Sequence, residues 1–535
     1  MPAPTAKTAT PFHPFAGRDV PWLVDAQASA RRDATFLVWE PFSGEGRRWT
    51  FAEFAEETRA YAAGMAARGI EKGDFVNIHM ENCPEFLFAW FACSRIGAVA
   101  VTTNTRSTQD ELAYFLAHSG SKYAITQPKF AALVRAAGPG LRWISCIAAG
   151  GDGDNGVHRP DDLIAFEALR GDPRAAPARA AEPMSPNSVQ YTSGTTSRPK
   201  GVVWTHANAL WSARVNAAHA ELGESDVHLF YFPLFHTNAL AYSVLATLWS
   251  GGTAVMLPRF SSSRFWDIAR RYGATWASMV MYTLRAVENL PDPEDHKFRF
   301  WAIVGDVNFI RERWGIKTIG WYGMTETVSH CIYSELGRMG PEGAMGRPAP
   351  EYEISVRRDD GTEAGFNETG RLFIRGIPGL TIFYEYLNDP ENTAQSFDAD
   401  GWFDTGDEVM ALEDGHMYFI GRAKDMLRVG AENVAAVEIE AVIVGVAGVI
   451  EAAVVGKPDP MLDEVPVAFV VASDAGPALE ADIRAACAGA LASFKQPREI
   501  RFIDALPKGL LDKVLKKELR ALLEDQAPDP ARASA

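Results

Sequence analysis

Strand-like and helix-like segments alternate along the first quarter of the chain. Residues 75–80, 98–102 and 123–126 are short apolar runs typical of strands, and residues 86–96 between the first two are typical of a helix. An earlier helix opens on a capping box formed by Thr50 and Glu53. This alternation predicts an α/β fold, in which parallel sheets are covered by helices on both faces.

The chain should form more than one domain, because its 535 residues exceed what one core usually organises. Between residues 350 and 420, short β-rich runs alternate with turn signals such as Asp414-Gly415. A further mixed unit begins near residue 424. We therefore predict a large N-terminal domain over residues 1–423, with parallel sheets and a β-rich subdomain, and a small α+β C-terminal domain over residues 424–535.

Charge and cysteine usage argue against several classes of function. Lys and Arg number 52 against 68 Asp and Glu, and the net charge of −16 disfavours nucleic acid and anionic membranes as partners. The five cysteines form no Cys-x-x-Cys pair, which predicts reduced thiols in the cytoplasm and no zinc site. We expect no transmembrane segment, because no run approaches the roughly 18 apolar residues that one needs.

Residues 191–201, Tyr-Thr-Ser-Gly-Thr-Thr-Ser-Arg-Pro-Lys-Gly, place hydroxyl side chains around a glycine and end on a lysine and a glycine. Backbone N–H groups, hydroxyls and one cation are the groups that hold a polyphosphate. The order Pro199-Lys200-Gly201 differs from a Walker A loop, in which glycine precedes the lysine. A solvated surface loop is the plain alternative, but the complete pattern favours phosphate binding.

Four further segments add glycine turns or polar side chains, and they are residues 321–326, 401–407, 421–425 and 506–517. Residues 321–326, Trp-Tyr-Gly-Met-Thr-Glu, join aromatic rings, a hydroxyl and a carboxylate, which suits base stacking, phosphate contact and Mg²⁺ coordination. Asp407 follows a glycine turn, where its carboxylate can accept hydrogen bonds from two ribose hydroxyls. The lysines from Lys508 to Lys517 would alone be surface charges, and a lone Glu326 would be a solvated acid.

In this order and at these spacings, the motifs resemble the adenylate-forming superfamily of acyl-CoA synthetases, luciferases and peptide-synthetase adenylation domains. The resemblance extends from Trp49 to Arg520, nearly the whole chain. It implies a large N-terminal domain and a small mobile C-terminal domain with a hinge at Lys424. It also implies a two-step reaction: a carboxylic acid attacks Mg·ATP to give an acyl-adenylate, and the thiol of coenzyme A then displaces AMP.

The resemblance also implies roles for the residues that match family motifs. The β- and γ-phosphates would be held by Thr192, Ser193, Gly194, Thr195, Thr196 and Lys200. Other nucleotide and coenzyme contacts would come from Thr325 (phosphate), Tyr322 (adenine), Asp407 and Arg422 (ribose), Gly305 and Gly430. Glu326 matches the Mg²⁺ ligand, and Lys513 matches the lysine that reaches both the carboxylate and the α-phosphate. His236 matches a residue guarding the acyl pocket, with a structural histidine as the alternative.

The short connection from residues 304–309 to Tyr322, together with residues 81–86, is more similar to the carnitine/crotonobetaine-CoA ligase branch than to the coumarate branch. The pocket wall is predicted to include His236, Trp276, Met279, Met281, Tyr282, Val304, Gly305 and Trp321. Its aromatic rings could enclose a quaternary ammonium by cation–π contact, or simply line a hydrophobic pocket. We therefore predict a hydrophobic or bulky acid as substrate.

Two departures from the family pattern keep alternatives open. The C-terminal lysine motif here carries Asp512 immediately before Lys513, and Ala431 stands where a second glycine is usual. The leading hypothesis is an ATP-dependent acyl-CoA synthetase that uses ATP, Mg²⁺ and coenzyme A. The alternatives are an adenylating enzyme that passes the acyl group to a carrier protein or amine, and a nucleotide-binding sensor without catalysis. A homodimer is left open.

Overall fold

The computed structural model describes residues 13–152, 156–192, 199–303, 305, 307–338, 340–422, 426–429, 432–459, 462–491, 493–508 and 514–524. The chain divides into two compact units. The first comprises residues 1–354, 374–403 and 414–417, and the second comprises residues 355–373, 404–413 and 418–535. The predicted domain boundary between residues 423 and 424 falls outside the described residues and stays a prediction.

The α-helices of the described residues are short to medium in length. They are α1 (Val20–Ala30), α2 (Phe51–Ala67), α3 (Pro84–Ile96), α4 (Gln109–Ser119), α5 (Ala131–Ala137), α6 (His206–His219), α7 (Ala246–Ser250), α8 (Ser262–Tyr272), α9 (Met281–Glu288), α10 (Asn308–Trp314), α11 (Pro390–Gln395), α12 (Ala436–Val444), α13 (Pro477–Ala490) and α14 (Lys516–Glu524). A π-helical segment, Asn238–Leu245, leads directly into α7. Such segments are rare and often occur at functional sites.

The strands that precede residue 350 all belong to the first unit. They are β1 (Thr35–Trp39), β2 (Arg47–Thr50), β3 (Phe75–His79), β4 (Val99–Thr102), β5 (Tyr123–Thr126), β6 (Trp143–Cys146), β7 (Ile164–Ala165), β8 (Pro186–Thr192), β9 (Lys200–Thr205), β10 (Val227–Phe230), β11 (Thr253–Met256), β12 (Trp276–Ser278), β13 (Phe300–Ile303), β14 (Lys317–Tyr322), β15 (Ile332–Tyr333) and β16 (Arg347–Pro348).

The later strands complete the order. They are β17 (Glu353–Arg357), β18 (Thr369–Arg375), β19 (Glu385–Tyr386), β20 (Phe403–Ala411), β21 (Met417–Arg422), β22 (Met426–Val429), β23 (Glu432–Ala435), β24 (Val449–Asp459), β25 (Asp463–Ala472) and β26 (Glu499–Phe502). The strands β17-β18-β20-β21 form a small sheet in that order. This confirms the predicted β-rich character of residues 350–420.

Two large sheets organise the first unit. One has the order β16-β15-β14-β13-β12-β10-β11-β1-β2, and the other has the order β19-β9-β8-β4-β3-β5-β6-β7. The central strands of each sheet, from β14 to β1 in the first and from β8 to β7 in the second, run parallel. The strands outside these runs, β15, β16 and β2 in the first sheet and β9 and β19 in the second, pair antiparallel. The predicted α/β class with parallel sheets is thereby confirmed, and polar loops gather where the parallel strands end.

Local chemistry explains where several of these helices begin. The predicted capping box of α2 is present: the Glu53 N–H donates to Thr50 Oγ1 over 3.1 Å, and the Thr50 N–H donates to Glu53 Oε2 over 2.8 Å. Thr108 and Glu111 repeat the arrangement at the start of α4. Each cap satisfies backbone donors that have no partner inside the helix, which stabilises the helix start by roughly 1 kcal/mol.

The C-terminal part of the second unit has its own sheet and core. Its strands follow the order β23-β22-β25-β24, and β26 adds to β25 in parallel. One face of the sheet packs on α12 and α13 through buried side chains such as Ile439, Ile443, Val454 and Ile483. This confirms the predicted mixed α+β unit near the C-terminus.

Among the described residues, no helix combines the length and apolar character needed to cross a membrane.

Candidate active site

The chain turns sharply where β14 ends on Tyr322. A Cβ atom on Gly323 would lie 2.8 Å from the backbone carbonyl oxygen of Ser329 and 2.7 Å from the hydroxyl oxygen of Tyr242, so the turn favours glycine. Thr325 and Glu326 follow at once, beyond the carboxyl end of a parallel strand. Open α/β sheets bind their ligands at this kind of edge, so the turn presents both side chains where a ligand would lie.

The Glu326 carboxylate is buried, with 4% of the residue exposed. The Tyr386 hydroxyl donates to Glu326 Oε1 over 3.1 Å, and the Phe383 N–H donates to the Glu326 carbonyl oxygen over 2.8 Å. Burial, with the nearby charge of Glu326, raises the pKa of Tyr386 well above its ordinary value, so this hydroxyl remains a donor. A fixed carboxylate of this kind suits Mg²⁺, which commonly takes one or two carboxylates together with phosphate oxygens.

Tyr386 also supports the lysine of the predicted phosphate loop. The Lys200 Nζ atom lies 4.5 Å from the centroid of the Tyr386 ring. The contact arises because β19 pairs with β9, which places Tyr386 opposite Val202. One ring therefore links the predicted phosphate-binding cation to Glu326. Motif reasoning missed Tyr386, since no motif includes it and only the strand pairing reveals it.

Thr192 and Lys200 are a cross-strand pair at the end of the hairpin formed by β8 and β9. A cleft of ≈ 230 Å³ opens beside this pair and is lined by Tyr114, His118, Pro199, Lys200, Gly201, Tyr386, Leu387 and Asp389. The Tyr114 hydroxyl donates to the Pro199 carbonyl oxygen over 3.1 Å, which anchors the loop next to the lysine. The structure thus places the two ends of the predicted phosphate loop, Thr192 and Lys200, opposite each other, and the role of the loop stays a prediction.

The Thr325 hydroxyl is the partly buried end of a chain of polar side chains. Its oxygen is 3.1 Å from the Thr237 hydroxyl oxygen, and Thr237 donates to Gln190 Oε1 over 2.9 Å. The indole N–H of Trp204 donates to the Thr325 carbonyl oxygen over 2.9 Å. These contacts connect Thr325 to the strand that enters the phosphate loop and to the residue that follows His236.

The loop that carries His236 is clamped by Asn82. The Asn82 amide donates to the carbonyl oxygens of Phe232 and Leu257 over 2.9 Å and 3.1 Å. Its Oδ1 atom accepts from the Leu234 N–H over 2.9 Å. Sequence reasoning noted Asn82 as a mark of the family branch, and the structure shows that it joins two strand-end loops.

The predicted wall of the acyl pocket is only partly brought together. Trp276 and Trp321 belong to one buried cluster with Phe300. Met279 belongs to a different cluster, where its sulfur lies 2.8 Å from the Tyr231 hydroxyl. The structure therefore does not group Met279 with the two tryptophans, because residues of β12 and the segment after it alternate between the two faces of the sheet.

Two predicted nucleotide contacts sit in tight backbone positions. Tyr322 is largely buried at the end of β14. A Cβ atom on Gly305 would lie 2.8 Å from the Gly343 carbonyl oxygen, so a larger residue would displace one of these two segments.

In the second unit, Asp407 is buried on β20, and its N–H donates to Thr405 Oγ1 over 3.1 Å. The backbone of Arg422 ends β21. Lys508 forms an ion pair with Glu451, so this lysine is held within the second unit. These placements leave the roles of Asp407 and Arg422 as predictions.

Several predicted positions fall outside the described residues. They are Ser193, Gly194, Thr195, Thr196, Val304, Lys424, Gly430 and Lys513. The side chains of Met281, Tyr282 and Arg422 also lie outside the described part of the chain.

The fold places Thr325 and Glu326 beyond the carboxyl end of a parallel strand, at the edge where open α/β sheets bind their ligands. Residues 24–387 match the family described as AMP-binding enzyme, and residues 438–513 match the AMP-binding enzyme C-terminal domain. The chain belongs to the AMP-binding enzyme family. The resemblance found in the motifs is thereby confirmed.

Relatives and solved structures agree on the reaction class. The crotonobetaine/carnitine–CoA ligase of Salmonella paratyphi A is 32% identical, over 94% of this chain and 99% of the relative, and that of Citrobacter koseri is equally similar. The anthranilate CoA ligase AuaEII in complex with anthranoyl-AMP has a TM-score of 0.84 at 25% identity, covering 95% of this chain and 97% of that one.

The O-succinylbenzoate coenzyme A synthetase MenE from Bacillus subtilis, in complex with ATP and magnesium, has a TM-score of 0.79 at 27% identity, covering 93% of this chain and 99% of that one. These findings confirm the prediction of an acid–thiol ligase of the acyl-CoA synthetase class. They also confirm ATP and coenzyme A as the predicted co-substrates and Mg²⁺ as the predicted cofactor of this class.

Proposed function

We propose that this enzyme activates a hydrophobic or bulky carboxylic acid as an acyl-adenylate and then transfers the acyl group to coenzyme A. In the first step a carboxylate oxygen attacks the α-phosphorus of ATP and pyrophosphate leaves. In the second step the thiolate of coenzyme A attacks the acyl carbonyl and AMP leaves. The observation that supports this proposal is the grouping of Lys200, Tyr386 and Glu326 beside the phosphate loop.

The first step joins two anions, so charge stabilisation is the main task of the site. Lys200 supplies a cation whose position is supported by the Tyr386 ring. Thr325 supplies a hydroxyl held next to Thr237. Mg²⁺, when bound by Glu326, neutralises phosphate charge and polarises the phosphoryl oxygens.

The remaining roles are proposals carried by the motifs. We assign His236, on the loop clamped by Asn82, to the entrance of the acyl pocket. Lys513 would bridge the carboxylate and the α-phosphate, and Asp407 with Arg422 would bind the ribose. Gly430 would lie along the pantetheine arm, and Lys424 would be the hinge.

Acid-dependent exchange of pyrophosphate into ATP tests the first step. It is measured over fatty, aryl, steroid-like and betaine acids, followed by AMP release with and without coenzyme A. Exchange that needs the acid, together with AMP release that needs coenzyme A, supports the proposal. Acid-dependent exchange without any coenzyme A-dependent release of AMP would indicate transfer to a carrier protein or amine. Tight binding of ATP with no pyrophosphate exchange for any of the acids would indicate a nucleotide-binding sensor and would contradict the proposed catalysis.

A further inference from the structure

Two side chains of helix α4 contact both strands of the hairpin that carries the predicted phosphate loop. Tyr114 and His118 are four residues apart, so they lie on the same face of the helix. His118 Nδ1 lies 2.9 Å from the hydroxyl oxygen of Tyr191 on β8. The Tyr114 hydroxyl donates to the carbonyl oxygen of Pro199, which immediately precedes β9, over 3.1 Å. We call Tyr114 and His118 the α4 pair.

The residues that the α4 pair contacts are the direct neighbours of two predicted phosphate contacts. Tyr191 immediately precedes Thr192, and Pro199 immediately precedes Lys200. Thr192 and Lys200 are also cross-strand partners. Because the preceding residue is held in both cases, the α4 pair restricts the backbone positions of Thr192 and Lys200 relative to the rest of the sheet.

Tyr191 packs closely on the same helix. Its ring centroid lies 4.3 Å from that of Phe115, and its hydroxyl oxygen lies 3.3 Å from the Phe115 carbonyl oxygen. Burial raises the pKa of Tyr191 well above its ordinary value, so the hydroxyl keeps its proton and remains a hydrogen-bonding group. The ring and the hydroxyl therefore both fix the start of the loop against α4.

The helix also supports Lys200 by a second route. The Asn388 amide donates to the backbone carbonyl oxygen of His118 over 2.7 Å. Asn388 has a φ of 53°, in the left-handed region that asparagine adopts more readily than most residues. It lies two residues after Tyr386, whose ring centroid is 4.5 Å from Lys200 Nζ. The C-terminal end of α4 thus anchors the segment that holds the lysine.

His118 acts through Tyr191 and supplies no charge of its own near neutral pH. Burial lowers the pKa of His118, and the charge of Asp389 opposes this shift in part. Among the described residues that line the cleft beside the loop, Lys200 is the cation. The contribution of His118 is therefore a hydrogen bond that places the backbone, which makes it a positioning residue.

On the basis of the proposed function, we infer that Tyr114 and His118 are positioning residues for ATP, which hold Thr192 and Lys200 in the arrangement that binds the β- and γ-phosphates. AMP lacks these phosphates, and so does the acyl-adenylate used in the thioester step. The α4 pair should therefore matter for ATP and pyrophosphate and not for AMP or thioester formation. A neutral hydrogen bond of this kind corresponds to about 2- to 12-fold in affinity.

The test measures Kd for ATP and for AMP in Tyr114→Phe and His118→Leu. We expect each variant to raise the Kd for ATP about 2- to 12-fold and to change the Kd for AMP less than about twofold. In pyrophosphate exchange the KM for ATP should rise with little change in kcat, as expected when a binding contact is lost equally from ground state and transition state. Thioester formation from supplied acyl-adenylate should stay near the rate of the parent enzyme.

Two further variants separate positioning from a general structural role. His118→Asn keeps a hydrogen-bonding group near the position of Nδ1, so we expect it to bind ATP more tightly than His118→Leu. Tyr123→Phe is the matched control, because the Tyr123 hydroxyl also donates to a backbone carbonyl oxygen, that of Gly69, over 2.6 Å. Tyr123 begins β5, at the sheet edge opposite the one where Thr192 ends β8. We expect this control to leave the Kd for ATP unchanged.

An unchanged Kd for ATP in Tyr114→Phe and His118→Leu would overturn the inference. Equal weakening of ATP and AMP, or the same loss of ATP affinity in Tyr123→Phe, would overturn it as well, since either result indicates only a structural role. An asparagine variant no better than the leucine variant would overturn the role of His118. Failure of the proposed function has a different signature: the parent enzyme supports no exchange with any acid, while a selective loss of ATP affinity in the variants still supports the positioning role.

Discussion

The Lys200 ammonium group lies 4.5 Å above the centroid of the Tyr386 ring, and the hydroxyl of the same ring donates to Glu326. A single side chain thus holds the cation of the phosphate loop and the carboxylate assigned to Mg²⁺. A cation–π contact is worth about 0.5–1 kcal/mol on the surface and about 2 kcal/mol when desolvated. Tyr386 is therefore expected to matter for catalysis although no motif contains it.

Replacing Tyr386 by leucine removes both contacts. We expect the KM for ATP in pyrophosphate exchange to rise about 2- to 30-fold, as the loss of about 0.5–2 kcal/mol predicts. Tyr386→Phe keeps the ring and removes the bond to Glu326, so we expect the requirement for Mg²⁺ to change more than the KM for ATP. Tyr384→Leu, two residues away, is the control. Equal effects at both tyrosines would contradict the assigned role.

Asn82→Leu should destabilise the first unit. The substitution leaves a buried N–H and two buried carbonyl groups without the Asn82 amide. Each unsatisfied buried group costs about 1–3 kcal/mol, so we expect a loss of about 3 kcal/mol or more. The shift of the urea midpoint measures it. Asn289→Leu removes one exposed bond to the Arg285 carbonyl oxygen and should change the midpoint little. Comparable shifts in both variants would show that the clamp contributes nothing special.

Stability should fall as the pH decreases below about 6.5, in part because of buried histidines. Burial lowers the pKa of His228 well below its ordinary value, so the unfolded chain binds a proton that the folded chain does not. Since the unfolded state then binds more protons, stability rises with pH in this range, and the effect disappears where both states are neutral. One such group contributes up to about 1.4 kcal/mol per pH unit.

His228→Phe should therefore flatten the pH dependence of unfolding. We expect the difference in stability between pH 6 and pH 5 to shrink by about 1.2 kcal/mol relative to the parent chain. Urea unfolding at pH 7, 6 and 5 measures it, and His158→Phe, at an exposed position, is the control. An unchanged slope in His228→Phe would mean that His228 is protonated in the folded chain.

Substitutions of Lys513 and of Lys508 should differ in their effect on adenylation. Lys513→Ala is expected to slow adenylation about 100- to 1000-fold, the usual effect of losing one electrostatic contact to a transition state. Thioester formation from supplied acyl-adenylate should largely persist. Lys508→Ala, which removes the ion pair with Glu451, should affect adenylation far less. Equal loss of both half-reactions in Lys513→Ala would contradict a role confined to the first step.

Interactions between residues close in the chain were predictable. The capping box of Thr50 and Glu53 and the strand Tyr123–Thr126 occur as the pattern indicated. The capping groups are three residues apart, and a strand shows its own alternation and turn signals, so each can be recognised inside a short window. The motif at residues 321–326 was recognisable for the same reason, because its glycine turn and carboxylate are adjacent.

Contacts between distant segments were not predictable in this way. Met279 and Trp321 have similar chemistry, yet they lie in different clusters because each strand sends its side chains to alternate faces. His330 lies four residues beyond Glu326, and its nearness to Trp321 and Tyr242 depends on how β15 folds back on β14.

The sequence alone therefore established the α/β class, the local helix and strand starts, and the family with its adenylate-forming chemistry, because these reside in short patterns. The placement of Tyr386 between Lys200 and Glu326 came from the pairing of β19 with β9. The contacts of His330 with Trp321 of β14 and with Tyr242 of the π-helical segment came from the packing of these segments against one another. Both arrangements depend on burial and on strand register between segments that are far apart in the chain. The stabilisation is spread over many residues, so no short sequence motif encodes either arrangement.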